Sequence, residues 1–179
     1  MDIREVKTRR SIHNAFLEIR SKKPLEKITV KELSEKAEIS KATFYLHYHD
    51  IYDLSEQLQK DFISTIIDLV PDPDAFLDDM VGAHKVLNSA IISNISIIDI
   101  LFSGSQRSVL SVLVEGEIKK AIFEKHPEFE NDAAVNTKLS FLIMGSFYAY
   151  LHNSSIFPSD KVNQTILEML ERINKAVEE

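Results

Sequence analysis

The sequence contains no cysteine, and only four glycines and five prolines occur among its 179 residues. The absence of cysteine excludes a disulfide scaffold, a thiolate zinc site and a cysteine nucleophile. Glycine and proline are the residues that most often interrupt helices, so their scarcity favours helical structure. Apolar residues also recur at the three- and four-residue spacing of a helix along almost the whole chain. Together these observations predict an all-α protein.

Long hydrophobic runs are absent as well. The longest apolar stretch, residues 86–102, is interrupted by Asn88, Asn94 and Asp99, so it predicts a buried helix rather than a membrane span. The chain begins MDIR, which lacks the apolar core of a secretory signal. We therefore expect a cytoplasmic protein that does not contact a membrane.

Catalytic and metal-binding patterns are not found in the sequence. His47 and His49 are two residues apart, and on a helix their side chains would diverge by about 200° and could not easily share one ion. The later histidines, His84, His126 and His152, are scattered and lack a Glu-x-x-His pair. No serine has a base at suitable spacing, and no glycine-rich phosphate loop occurs. We expect no enzyme activity, no cofactor and no metal site.

Charge divides the chain into two regions of opposite sign. The net charge is -7, but residues 1–49 hold eleven Lys or Arg against seven Asp or Glu, a balance of +4. Residues 50–179 hold ten against twenty-one, a balance of -11. A basic N-terminal region on an acidic body is typical of a protein that contacts phosphate through its N-terminus only. We expect one domain at 1–49 and a second at 50–179.

Residues 29–50, TVKELSEKAEISKATFYLHYHD, predict two short helices around a tight turn. Thr29 is a good N-cap, and Glu32 can reach back to the Thr29 amide as a capping box; Ser40 would start the second helix. The positions expected to pack the helices together are Val30, Leu33, Ala37, Ile39, Phe44 and Tyr48. The outward face would carry Lys41, Thr43, Tyr45 and His47. An exposed polar face on the second helix is how a helix-turn-helix reads DNA.

The same residues carry a resemblance to a known family. The run AEISKATFYLHY at 37–48 is similar to the Ala-Gly-Val-Ser-x-Gly-Thr-Phe-Tyr-x-His-Phe signature of the tetracycline-repressor (TetR) family of bacterial transcriptional regulators. Residues 8–19 resemble that family's first helix, and the similarity covers roughly residues 4–58. Glu38 replaces the family's usual turn glycine. If the turn needs positive φ there, Glu38 adopts it at a cost of roughly 1 kcal/mol.

The residues predicted to contact DNA are Thr29, Ser40, Lys41, Ala42, Thr43, Tyr45, Leu46 and His47. Ser40 and the amides after it can bind a phosphate at the helix start, and Tyr45 and His47 can bond to phosphate oxygens. Lys41 can reach the DNA backbone or a guanine edge. Leu46 has two interpretations, because its side chain could contact a thymine methyl group or cover the neighbouring helix.

The second domain reads as a bundle of helices. A linking helix is predicted at 50–70 and ends before Pro71-Asp72-Pro73. Further helices are predicted at 74–92, 95–102, 105–126, 132–153 and 159–177. The last helix carries an apolar seam that must be buried, made of Val162, Ile166, Met169, Leu170, Ile173 and Val177.

Two alternatives explain this seam. It could pack against its own chain, or the last two helices could form a four-helix bundle with a second copy. The resemblance implies the second, because TetR-type repressors dimerise through their last two long helices. The interface residues expected on that basis are Leu139, Ile143, Phe147, Tyr150, Ile166, Met169, Leu170 and Ile173.

A ligand pocket is expected in the body if the chain senses a small molecule. The candidate lining residues are His84, Asn88, Phe102, Phe123, Phe141, Met144, Phe147 and Tyr148. A row of aromatic residues at helical spacing is also what an ordinary core looks like, and both interpretations stay open.

The sequence therefore predicts a homodimeric, TetR-like transcriptional regulator, most simply a repressor. It would bind a palindromic operator in double-stranded DNA and be released by a small-molecule effector. Three alternatives remain: control by a protein partner or by abundance without an effector, a motif that now serves protein partners, and a helical-bundle enzyme.

Overall fold

The computed structural model describes residues 3–178, apart from the side chains of residues 174 and 176–178. Among these residues there are ten α-helices and no strand, which confirms the all-α prediction. The helices are α1 (Ile3–Arg20), α2 (Val30–Lys36), α3 (Lys41–Tyr45), α4 (Ile51–Ile67), α5 (Ala75–Asp78), α6 (Met80–Ser93), α7 (Ile95–Leu101), α8 (Val109–Lys125), α9 (Ala133–Asn153) and α10 (Ser159–Glu178). Single turns of 3₁₀ helix lie at Leu25–Lys27, Gly104–Gln106 and Pro127–Phe129.

The chain folds as two compact units. The first comprises residues 3–62 and 94–107, and the second comprises residues 63–93 and 108–178. This grouping follows packing, whereas the division after residue 49 concerns charge and function and stays a prediction.

The first unit is built on α1. This helix packs against α2 and α7, and α2 packs against α3. Its apolar residues at 12, 16 and 19 have helical spacing and are buried, as are the apolar residues that α2, α3 and α4 contribute. The buried side chains include Ile12, Phe16, Ile19, Leu33, Phe44, Tyr48 and Leu54.

A later segment of the chain completes this unit. Ile98 and Leu101 of α7 are buried, together with Phe102 that follows it. The buried Gln59 of α4 donates from Nε2 to the carbonyl of Leu101 at 2.8 Å. Because a buried amide needs a partner, this bond fixes the end of α7 against α4.

The second unit is a helical bundle in which α9 packs against both α8 and α10. Asp132 caps α9 and accepts from the amides of Ala134 and Val135 at 2.8 and 3.0 Å. One core cluster joins α6, α9 and α10, and its buried members are Met80, Leu142, Val162, Ile166 and Leu170. Val162, Ile166 and Leu170 of the last helix's seam therefore pack against their own chain, with Ile173 partly buried beside them. The expectation that the whole seam is buried is wrong at Met169, which is 59% exposed, and Val177 lies outside the described side chains.

One predicted helix is broken in the structure. The segment expected as a single helix at 74–92 forms α5 and α6, separated at Asp79. The backbone of Asp79 has φ -130° and ψ 66°, and its carboxylate accepts from the amide of Gly82 at 2.9 Å. Asp79 thus serves as a helix cap inside a segment whose periodicity reads as continuous.

Within residues 3–178, no single helix has the length and apolar composition to cross a membrane, although the pair Ile95–Leu101 and Gly104–Lys125 passes on length and composition together.

Candidate nucleic-acid interface

The start of α2 is capped as the sequence predicts, but the capping box is only half formed. The hydroxyl of Thr29 accepts from the amide of Glu32 at 3.2 Å. The carboxylate of Glu32 does not return to Thr29 and instead pairs with the ammonium of Lys23 at 2.5 Å. Lys23 lies far enough from Glu32 in the sequence that only folding brings the two together.

The turn between α2 and α3 has a left-handed residue. Glu38 has φ 56°, in the region that favours glycine. The amide of Ile39 donates to the carbonyl of Ser34 at 3.0 Å, and the Ser11 hydroxyl of α1 donates to the carbonyl of Ala37 at 2.8 Å. These bonds hold the turn from both sides, so Glu38 keeps a strained conformation that costs about 1 kcal/mol.

Two buried aromatic residues anchor α3 and the turn after it in the core of the first unit. Phe44 is fully buried, and Tyr48 is buried with its ring centroid 5.7 Å from that of Phe44. The Tyr48 hydroxyl lies 2.7 Å from Nε2 of His13 in α1. Burial, with a further contribution from Arg9, lowers the pKa of His13, while Asp61 opposes the shift. Burial also raises the pKa of Tyr48, so both groups favour their neutral forms.

His13 and Ser11 are residues of this site that the sequence reasoning missed. Both lie on α1, more than 25 positions from their partners. In the sequence, polar residues on α1 flank the apolar positions 12, 16 and 19, and this pattern could have indicated that some of them bond to the neighbouring helices.

The anchors leave a defined outward face on α3. Lys41, Ala42, Tyr45 and Leu46 are exposed, and their spacing places Lys41 beside Tyr45 and Ala42 beside Leu46. Tyr45 is 57% exposed and Leu46 is 82% exposed. Leu46 therefore does not cover a neighbouring helix. Of its two interpretations, contact with a thymine methyl group is the one that this exposure permits.

The remaining predicted contact residues are partly engaged within the fold. The Ser40 hydroxyl accepts from the amide of Thr43 at 3.0 Å and lies 2.9 Å from the Thr43 hydroxyl. Thr43 and His47 are half-buried, whereas Thr29 and Ser40 are exposed. Ser40 and Thr43 thus set the start of α3 and have less freedom to contact a ligand than Lys41 or Tyr45.

Most lysines of the basic region are paired with acidic residues. Lys22 and Lys36 both bind Glu18, at 3.1 and 2.6 Å, and the Lys36 bond is the main cause of the lowered pKa of Glu18. Lys31 lies 3.9 Å from Glu35. Lys41 has no ion-pair partner among the side chains that the structure describes, so its charge is available on the outward face of α3.

The predicted ligand-lining residues do not come together. A cavity of about 20 Å³ in the second unit is lined by Phe76, Met80, His84, Leu87, Leu142, Ile143, Ser146, Phe147 and Leu170. Only His84 and Phe147 of the predicted set line it. Phe102 belongs to the first unit, and Phe141 and Tyr148 are 67% and 71% exposed. Asn88, Phe123 and Met144 are half-buried and do not line it either.

The predicted interface residues separate into two groups. Leu139, Ile143, Ile166 and Leu170 are buried by their own chain. Phe147, Tyr150 and Ile173 are half-buried, and Met169 is 59% exposed. A partner could reach only the second group without unfolding the bundle.

Over the part of the chain that the structure describes, no group of three or more His, Asp or Glu side chains is placed to hold a metal ion. No protein-family model, curated protein or solved structure matches this chain.

Proposed function

We propose that the protein is a DNA-binding transcriptional regulator in which α2, the turn and α3 form a helix-turn-helix resembling that of the TetR family. The observation that carries the proposal is the outward face of α3. It presents Lys41, Ala42, Tyr45 and Leu46, while Phe44 and Tyr48 anchor the same segment from below. A short helix held rigidly on buried aromatics, with an unpaired cation on its free face, suits insertion into the major groove.

Each exposed side chain has a role that follows from its chemistry. Lys41 neutralises a phosphate or donates to a guanine edge, and the Tyr45 hydroxyl bonds to a phosphate oxygen. Thr29, exposed at the start of α2, provides a second phosphate contact, and His47 a third. The acid pairs of Lys22, Lys31 and Lys36 reduce the attraction of the rest of this surface for DNA. Affinity therefore depends on the α3 face.

Two copies are needed for a palindromic operator, with recognition helices about 34–36 Å apart. The outward side of α9 is the surface we propose for self-association. Exposed residues recur there every three or four positions, at Ala134, Thr137, Phe141, Gly145, Tyr148 and His152. His152, whose ring stacks on that of Tyr148, is the one member of this series with a titratable imidazole, and none of them is Lys, Arg, Asp or Glu. Lys138, the single Lys, Arg, Asp or Glu of α9, donates instead to the carbonyl of Leu77 at 3.0 Å.

The shape of this surface supports close packing. Apart from the helix's own nearby backbone, the space that a side chain at Gly145 would fill is open, so a partner helix could approach the backbone between Phe141 and Tyr148. Exposed aromatics of this kind are enriched at protein interfaces. Met169 of α10 extends the apolar character to the neighbouring helix.

Control of the regulator has two candidate forms. The cavity beside His84 has room for about one water molecule, so a small-molecule effector would have to displace core side chains to enter there. This observation favours control by abundance or by a protein partner over release by an effector bound at that cavity. In either form, the simplest action at an operator is repression.

Binding to duplex DNA tests the proposal. DNA upstream of the protein's own gene, and duplexes selected from a random library, would be titrated with wild type, Lys41→Ala and Tyr45→Phe. Each variant should weaken binding by on the order of 1 kcal/mol, since each loses one contact to the DNA. Lys41→Ala should also lower the salt dependence by roughly one counterion, whereas Tyr45→Phe, which removes an uncharged group, should leave it unchanged.

The matched control is Lys120→Ala, which removes an exposed lysine of α8 in the second unit and should bind like wild type. Equal binding by wild type and both α3 variants at moderate salt would contradict the assignment of this face. Failure of wild type to bind any duplex would contradict the proposed function, and would favour a motif that serves protein partners.

A further inference from the structure

Leu46 is the most exposed of the large hydrophobic side chains that the structure describes, at 82%. Its backbone is nevertheless fixed. The Leu46 amide donates to the carbonyls of Ala42 and Thr43 at 3.2 and 3.3 Å. The amide of Tyr48 donates to the carbonyl of Phe44 at 3.0 Å, so the segment around Leu46 is held in a helical turn.

The outward direction of Leu46 follows from its neighbours. Phe44 and Tyr48 are four positions apart and both buried, which turns the residues between them toward solvent. Leu46 lies one helical turn after Ala42, which is also exposed. The two side chains form an apolar strip that runs beside the polar pair Lys41 and Tyr45.

Resting on the proposed binding of duplex DNA, we infer that Leu46 determines operator specificity by packing on the C5-methyl group of a thymine in the major groove. The thymine methyl is the apolar group that base edges present in that groove, and aliphatic side chains contact it. The neighbouring Lys41 and Tyr45 supply the charge and hydrogen bonds that fix the register on the phosphates. Leu46 then contacts a base, while Lys41 and Tyr45 contact the phosphate backbone.

The charge around the strip argues for this occupant over a protein surface. Lys41 is exposed beside the strip with no ion-pair partner in the part of the chain that the structure describes, and the first 49 residues have a balance of +4. A cation beside an apolar strip complements a phosphate backbone flanking a methyl-lined groove.

Replacement of thymine by deoxyuridine tests the inference, because it removes the C5-methyl and keeps base pairing. Each thymine of the selected operator would be replaced singly and binding measured with wild type and Leu46→Ala. Wild type should lose about three- to fivefold in affinity at one thymine of each half-site, the effect of one buried methyl. Leu46→Ala should bind the thymine and deoxyuridine operators equally well.

Leu69→Ala, another exposed leucine that lies outside the α3 segment, is the matched control and should discriminate like wild type. Operator binding that is insensitive to every deoxyuridine replacement would overturn the inference and leave the proposed function intact. Discrimination that persists in Leu46→Ala would assign the methyl contact to another residue and also overturn it. Absence of binding to any duplex would instead contradict the proposed function itself.

Discussion

The guanidinium of Arg20, at the end of α1, donates from Nη2 to the carbonyl of Ser103 at 2.9 Å, across 83 positions of sequence. Arg20 is 5% exposed, and its Nη1 donates to the carbonyl of Lys23 at 3.2 Å. Burial lowers the pKa of Arg20, while Glu26 acts in the opposite direction. Glu26 in turn accepts from the hydroxyl of Ser105. The turn after α7 is thus bonded to the segment that leads into α2.

Arg20→Ala should destabilise the protein by about 2–3 kcal/mol, because two half-buried carbonyls would lose charged donors. Urea unfolding would measure the change. Lys22→Ala is the matched control, since Lys22 is exposed and its ion pair with Glu18 lies on the surface; it should change stability by less than about 1 kcal/mol. Equal effects of the two substitutions would show that the Arg20 bonds do not stabilise the fold.

Phe44→Ala should cost about 3 kcal/mol or more, since it empties the centre of the α1–α2–α3 core. Its neighbour Tyr45 is 57% exposed, so Tyr45→Ala should change stability by less than about 0.5 kcal/mol. Thermal and urea unfolding of the two variants would be compared. Similar losses would mean that the segment is not held with Phe44 inward and Tyr45 outward.

Glu38→Gly should stabilise the protein by a few tenths to about 1 kcal/mol, because glycine adopts positive φ without strain and this gain exceeds its extra unfolded-state entropy. The same substitution at Glu35, inside α2, should destabilise by about 1 kcal/mol. Chemical denaturation would measure the change in the free energy of unfolding for each variant, which should rise in Glu38→Gly and fall in Glu35→Gly. A destabilising Glu38→Gly would show that the turn tolerates glutamate without strain.

If the proposed dimer forms through α9, Phe141→Glu and Tyr148→Glu should each give a folded monomer, because a carboxylate on the outward side of α9 would be desolvated by a partner. Sedimentation and circular dichroism would report mass and helicity. Ile166→Glu should instead unfold the bundle, since Ile166 is buried by its own chain.

Leu69→Glu, at an exposed leucine outside α9 and α10, is the control for this experiment and should remain dimeric. Wild type that sediments as a monomer at micromolar concentration would remove the dimer from the proposal.

The lowered pKa of His13 predicts a loss of stability in acid. The folded protein holds a proton on His13 less tightly than the unfolded chain does, so the stabilisation is present above about pH 6.5 and is lost as the pH falls through the folded pKa. His13→Gln keeps a neutral partner for Tyr48 and removes this titration. The free energy of unfolding should therefore fall less between about pH 7.5 and 5.5 in His13→Gln than in wild type.

Other ionisable groups titrate in both proteins, so the difference between the two pH curves isolates His13. Parallel curves would show that His13 is not held neutral beneath α3.

The α2–α3 segment was readable because its signals are local. Thr29 and Ser40 cap the helices that follow them, as their side chains and spacing predict. The apolar positions 33, 37, 44 and 48 are buried, and Lys41 and Tyr45 are exposed. Helical periodicity also located α4, α7, α9 and α10 to within a few residues. It missed the break at Asp79, because the apolar pattern continues across a residue that acts as a cap.

The sequence by itself determined the helical class, the starts of α2 and α3 and the face that α3 presents, since these depend on residues within one or two turns of each other. Tertiary structure alone decided which apolar faces bury one another. Periodicity shows that Ile166 and Phe141 both lie on apolar positions, but only packing places the first in the core and the second at the surface. Tertiary structure also decided the partners of several polar side chains. Folding brings residues that are distant in the sequence into contact, and the pairs are Arg20 with Ser103, His13 with Tyr48 and Glu32 with Lys23.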